Sequence, residues 1–190
     1  MVKIENLVKN YGDFRLNISM EIPAGTVSGI VGRNGAGKST TIKAILGLIR
    51  PSGGSVTVFG ADAAALTVRD RQKIGVALPD SGFSGYLSLR DIIKILAAMY
   101  PDFDPERCRS ECEKSGLPMD KRIREFSTGM KAKLKVLAAC SHGAKLLILD
   151  EPTAGLDVIA RREVLDLLRG YLAEDPERSM LISSHISSDL

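Results

Sequence analysis

Cysteine is scarce in this chain: its 190 residues contain three. That is an odd number with no paired-ligand spacing, so neither a disulfide framework nor a cysteine metal site is expected. Cys108 and Cys112 stand four apart on an expected helix and Cys140 closes another, which reads as three thiols in a reducing compartment. Long apolar runs are missing too, and none approaches the roughly 18–20 residues of a membrane-spanning helix. The opening MVKIENLVKNYG lacks the form of a signal peptide. A net charge of only +3 does not argue for nucleic acid as a partner. No internal repeat, low-complexity tract or long linker is visible. What remains is ordinary for a globular protein, with 44% hydrophobic and 26% charged residues. The length suits one domain, or one domain with a small subdomain, and a real core.

The hydrophobic pattern organises the chain. FRLNISMEI alternates strictly, with Phe14, Leu16, Ile18, Met20 and Ile22 on one face. This predicts a half-buried strand antiparallel to the opening VKIENLVKNY. TVSGIVG is a strand running into RNGAGKSTTIKAILGLI, a helix with Ile42, Ile45, Leu46 and Ile49 on one side. RPSGGS ends that helix, VTVFG is another strand, and KIGVALPD is a short buried strand entering a loop. From Ser88 to Cys140 the pattern is helical, with a capping box at Ser88 and Asp91. A further helix has Asp104 as N-cap, Pro105 at the first position and Gly116 as its stop. LLILD then reads as a central parallel strand covered on both faces, followed by the helix VIARREVLDLLRGYL and the strand RSMLISS. The expectation is an α/β core, residues 1–80 and 141–190, with a helical insertion at 81–140. SSDL at the end is expected to open a further helix, with the natural chain continuing beyond it.

Two motifs carry chemistry. GRNGAGKS, Gly32 to Ser39, fits G-x-x-x-x-G-K-[ST] between a strand and a helix. A polyphosphate needs many inward N–H donors, and Gly32, Asn34, Gly35 and Gly37 lie in the loop whose backbone would supply them. The helix beginning near Lys38 adds its positive end. Lys38 would reach the β- and γ-phosphates, Ser39 would ligate Mg²⁺, and Thr40 would bond an α-phosphate. The second motif is LLILDE, which sets Asp150 at the carboxyl end of a buried strand, where ligands gather in open α/β sheets. Asp150 would hold Mg²⁺ through water, and Glu151 would orient and deprotonate an attacking water. Alone, the two acids would be ordinary strand-end carboxylates; the phosphate loop turns the reading toward catalysis.

With these motifs in order, the chain resembles the ATP-binding cassette of an ABC transporter over nearly its whole length. The phosphate loop Gly32–Thr40 and LLILDEPTAGLD are the strongest elements. The resemblance implies a P-loop ATPase core with a mixed sheet, an N-terminal antiparallel β-subdomain and an inserted α-helical subdomain. It implies ATP and Mg²⁺ as cofactors. Tyr11 would stack on adenine and His185 would contact the γ-phosphate. The loop Ala154-Gly155-Leu156-Asp157 would cross a dimer interface. FSTGM falls where the family carries its signature, with Ser127 and Gly129 retained and Phe126, Thr128 and Met130 as departures. Such variants resemble single-cassette bacterial exporters of peptides and antibiotics. Ser127 is a good N-cap, and Ser127 and Gly129 would face a phosphate held by a second subunit.

A further departure is Asp80, where the family usually has a glutamine near the metal. Asp80 reads either as a turn residue after Pro79 or as a water-mediated metal contact. Lys121, Arg122, Arg124, Lys131, Lys133 and Lys135 form a basic region expected to be a solvated face, the alternative being that a share of its charge attracts the nucleotide phosphates of the opposing subunit. The resemblance further implies a second nucleotide-binding subunit, a polytopic permease, ATP-driven export and a place at the cytoplasmic face of the plasma membrane, with no nucleic acid. The competing class is a soluble ATPase of the same superfamily acting on ribosomes or nucleic acid, which tandem cassettes or a long coiled coil would mark. A GTPase would show Asn-Lys-x-Asp, which the sequence lacks.

Overall fold

The computed structural model describes residues 1–80 and 82–185; the helix expected from SSDL lies outside them. In chain order the strands are β1 (Val2–Tyr11), β2 (Phe14–Ile22), β3 (Val27–Val31), β4 (Gly53–Val58), β5 (Ala61–Asp62), β6 (Ile74–Ala77), β7 (Leu146–Asp150) and β8 (Ser179–Ser184). The helices are α1 (Lys38–Ile45), α2 (Val68–Arg71), α3 (Leu89–Met99), α4 (Pro105–Lys114), α5 (Thr128–Cys140) and α6 (Val158–Ala173). The short β5 and α2 escaped sequence reading, because two to four residues carry too little periodicity to register.

The antiparallel and parallel strands divide into two sheets. One has the order β2-β1-β4-β5 and is antiparallel; the other has the order β3-β8-β7-β6 and is parallel. β1 and β2 pair from Val2↔Ile22 to Tyr11↔Phe14, as the alternation predicts. β7 is the inner strand, paired with β8 on one side and β6 on the other. Leu146, Leu147, Ile148 and Leu149 are wholly buried, which is why this strand reads as an unbroken apolar run.

The first core lies between the sheets and α1. Ile42 and Ile45 meet Leu7, Val58, Ile148 and Leu181 there. The helical insertion has its own core, with Leu89, Ile92, Phe103, Cys108, Cys112, Phe126 and Leu134 buried together. A third cluster joins α5 and α6 to the parallel sheet through Val136, Leu149, Val164 and Ile182. Burying each such side chain contributes about 1.5–3 kcal/mol. The helix caps match the sequence signals. Ser88 and Asp91 form a reciprocal box on α3, and Asp104 accepts from Glu106 N and Arg107 N at the start of α4.

His142 sits between the helical insertion and the sheet. Its ring stacks on Tyr100 with centroids 4.0 Å apart, and Nε2 lies 3.3 Å from Ile74 O. Burial holds its pKa below the ordinary imidazole value, against the opposing pull of the Ile74 and Ala138 carbonyls. The folded chain therefore takes up this proton less readily than the unfolded one, and stability falls as pH drops through the ordinary imidazole range. His142→Phe keeps a ring against Tyr100 and removes the titration. Urea unfolding should show a smaller stability loss for the variant than for the native chain between about pH 7.5 and about pH 5.5. Equal losses would assign the acid sensitivity elsewhere.

Candidate active site

The phosphate loop joins the end of β3 to the start of α1. Gly37 is the N-cap of α1 in a left-handed conformation, φ 97°, and the cap has no side-chain hydrogen bond. A Cβ here would come within 2.8 Å of Leu16 Cδ1 and 3.1 Å of Phe14 Cζ. Glycine is therefore required twice, by backbone conformation and by the side chains of β2 pressed against the loop. Gly35 is also left-handed, φ 83°, while Asn34 and Ser39 are exposed and Thr40 is half-buried. The first turn of α1 lacks acidic side chains, so nothing there offsets the positive end of the helix.

Lys38 is buried, and its ammonium converges on carbonyl and carboxylate oxygens. Nζ donates to Gly32 O at 2.7 Å and lies 3.1 Å from Glu151 Oε1. Glu151 Oε2 is 3.0 Å from His185 Nδ1. The Glu151 carboxylate thus bridges the phosphate loop and the end of β8. Burial raises its pKa, but the hydrogen bonds from Lys38 and His185 together outweigh that effect and hold the carboxyl below its ordinary range. Glu151 has φ 50°, a left-handed conformation that is costly for a non-glycine residue. Its N–H donates to both the carbonyl and the hydroxyl of Ser183, at 3.2 and 3.0 Å. The same Ser183 hydroxyl donates to Asp150 Oδ1.

Ser183 is the residue that sequence reading missed. One buried hydroxyl, 0% exposed, donates to the Asp150 carboxylate and accepts from the Glu151 backbone N–H at the end of β7. The available signal was the pair of serines Ser183 and Ser184 directly after the apolar run Met180–Ile182 of the same strand, because buried hydroxyls need partners.

The remaining predicted residues fall into other groups. Tyr11 ends β1, is 48% exposed, and has Lys9 Nζ 5.2 Å above its ring. Asp80 is exposed in the turn after β6. Ser127 is the N-cap of α5, accepting from Met130 N at 3.2 Å. Asp157 is the N-cap of α6, accepting from Ile159 N and Ala160 N, both at 2.9 Å. The two helix starts touch: a Cβ on Gly129 would lie 3.0 Å from Ala160 Cβ. In FSTGM, Phe126 is core, Met130 packs against that core, and Thr128 is exposed.

The solvated-face expectation holds for Lys121, Arg122, Arg124 and Lys131, which are exposed, and needs correction for Lys133 and Lys135, which are half-buried. Arg122 donates to Tyr86 O at 2.9 Å, and Arg124 lies 5.4 Å from the Tyr86 ring centroid. Lys133 donates to Ser115 O at 2.8 Å and pairs with Glu163 at 3.0 Å. Lys135 donates to Leu78 O at 3.1 Å and Pro79 O at 2.7 Å. Carbonyls that have left a regular ladder still need donors, and lysines on a packed helix supply them.

The chain is similar to known proteins. A family model described as ABC transporter matches residues 16–154. A second, described as AAA domain, putative AbiEii toxin, Type IV TA system, matches residues 121–188. A lantibiotic transport ATP-binding protein of Streptococcus pyogenes is 37% identical, over 100% of this chain and 82% of its own length. A bacitracin transport ATP-binding protein of Enterococcus faecalis is 34% identical, over 100% of this chain and 63% of its own length. Among solved structures, an ATP-binding subunit of an ABC transporter superposes with a TM-score of 0.79 at 26% identity, over 98% of this chain and 80% of that one. A dimeric ATP-binding cassette bound to ADP and Pi superposes with a TM-score of 0.81 at 21% identity, over 100% and 90% of the two chains, a likeness of fold.

Removing the Ser183 hydroxyl strips a partner from Asp150 and one from Glu151 N. Ser183→Ala should cost about 1–3 kcal/mol in equilibrium urea unfolding and should lower ATP turnover. An unchanged midpoint with unchanged turnover would remove Ser183 from the site.

Proposed function

The chain belongs to the ABC transporter family and is an ATP-binding ATPase subunit, and from that premise we propose that two such subunits close around Mg-ATP to drive export through a separate membrane subunit. The observation that carries this reading is Glu151. Its carboxylate lies against the phosphate-loop lysine on one side and His185 on the other, at the sheet edge where Asp150 ends its strand.

Each residue has a task in this reading. The backbone N–H groups of Gly32–Thr40 and the α1 N-terminus cradle the phosphates, and the Lys38 ammonium neutralises the β- and γ-oxygens. Glu151 takes the proton of the attacking water, and His185 orients Glu151 and the γ-phosphate. Tyr11 stacks on adenine. Ser127 and Gly129 present the start of α5 to a phosphate held by the second subunit, and Asp157 shapes the adjoining surface. ATP holds the closed pair together, because the closed state makes phosphate contacts the open state lacks.

The donor set fits Mg²⁺. Ser39 and Asp150 offer hard oxygens at one edge, and among the described residues no cluster of three acids, histidines or cysteines forms a metal cage. Mg²⁺ is commonly held this way, by one or two protein oxygens together with substrate phosphates. It would supply charge neutralisation on the phosphate oxygens. Asp80, short and exposed, would reach it only through water.

The names of the relatives support export. Relatives named for lantibiotic and bacitracin transport, and for daunorubicin and doxorubicin resistance, are 34–37% identical. Among the described residues no helix is long and apolar enough to cross a membrane, so in this reading a polytopic partner supplies the path and the cassette works at its cytoplasmic face. The helical insertion, 81–140, faces that partner while the core, 1–80 and 141–190, holds the nucleotide.

Glu151→Gln should lower turnover by about 100-fold or more, the scale of a lost general base, and should accumulate a dimer on size exclusion only with Mg-ATP. Wild-type turnover in that variant would take Glu151 out of the base role. Lys38→Ala should abolish nucleotide binding in equilibrium dialysis; retained affinity would sink the phosphate-loop assignment. The tagged chain should co-purify from membranes with a polytopic subunit, and recovery with ribosomes alone would reject the transporter reading.

A further inference from the structure

We infer that Lys135 is a positioning residue: its ammonium fixes the turn that carries Asp80 and makes that turn move with the helix that begins at Ser127. β6 ends at Ala77, so the carbonyls of Leu78 and Pro79 lie beyond its ladder. Lys135, on α5, donates to both, at 3.1 and 2.7 Å. A charged donor shared by two carbonyls is a strong and directional tie. Asp80 acts on the same ammonium electrostatically. The lysine stem runs along the turn, with Cε 3.6 Å from where a Cβ on Gly82 would stand. Its neighbours Leu134 and Val136 are buried, so the helix cannot rotate the ammonium away without exposing core.

This contact joins two halves of the proposed chemistry. Asp80 stands in the turn at the carboxyl end of β6, the edge where Asp150 ends β7. Ser127, two turns before Lys135 on the same helix, faces the second subunit in the proposed assembly. A shift of α5 on closing therefore pulls the Leu78–Asp80 turn with it. Lys133, two residues earlier, makes a different tie, to Ser115 O and Glu163, and fastens α5 to the end of α4 and to α6. The two lysines are alike in chemistry and differ in what they hold, so each is a control for the other.

The turnover arm of the test rests on the ATPase reading; the exchange arm does not. Hydrogen exchange is followed in the nucleotide-free full chain for Lys135→Met, Lys135→Arg and Lys133→Met. Lys135→Met keeps the stem and loses the ammonium, so the peptide carrying Leu78–Asp80 should exchange at least about tenfold faster while peptides of β7 and β8 do not change. Lys135→Arg should restore most of the protection, and Lys133→Met should leave that peptide as in the native chain. Turnover of Lys135→Met should fall about tenfold in kcat with KM for ATP within about twofold, because the lysine touches no phosphate-loop residue; Lys135→Arg should recover most of the rate. Native exchange in Lys135→Met, or an arginine variant no better than methionine, overturns the proposal. Native kcat in Lys135→Met with the exchange change present overturns its catalytic part alone. A native chain that hydrolyses no ATP overturns the ATPase reading and leaves the exchange result to judge the tie.

Discussion

Parallel pairing is the constraint from which the rest of the site follows. In the order β3-β8-β7-β6 every strand of the core sheet runs the same way, so every carboxyl end opens onto one edge. The phosphate loop leaves β3 there, Asp150 and Glu151 end β7 there, His185 follows β8 there, and the Leu78–Asp80 turn follows β6 there. Residues 147 positions apart in the chain, Lys38 and His185, come into reach of one carboxylate, that of Glu151, without any special loop. The apolar burial of β7 supplies the rigidity, since four wholly buried side chains resist displacement of the acid that ends the strand.

The antiparallel sheet has a separate part in this. Phe14 and Leu16 press on Gly37, so the sheet that carries Tyr11 also braces the phosphate loop. At the opposite side of the site, Ser183 holds both acids by one hydroxyl. The left-handed backbone at Glu151 is tolerated because its N–H has partners fixed by β8. Positioning thus comes from strands on either side of the chemistry.

The elements of the fold were largely legible because their signals are local. Alternation in FRLNISMEI, the capping box at Ser88 and Asp91, and the apolar run LLILD each report on a few consecutive residues. The phosphate loop was legible for the same reason, as glycine spacing reflects backbone conformation. Ser183, Lys133 and Lys135 were not, because their roles lie in partners 18 to 57 residues away in sequence. A lysine on a helix has the same local signal whether it meets water or two carbonyls. The antiparallel subdomain beside the core was expected from the family resemblance and not from the hydrophobic pattern, since alternation reports a buried face and not the identity of what covers it.

The contact between Gly129 and Ala160 has a consequence for how such a chain can diverge. The start of α5 and the start of α6 fit with 3.0 Å left for a first side-chain carbon. Thr128, exposed beside it, is free to drift, and Met130 can trade for any side chain that fills the same shelf in the helical core. Positions 129 and 160 have less liberty: a side chain at 129 requires Ala160 to give way. The letters around the signature can therefore change with less consequence for the packing of the two helix starts than a change at Gly129 itself.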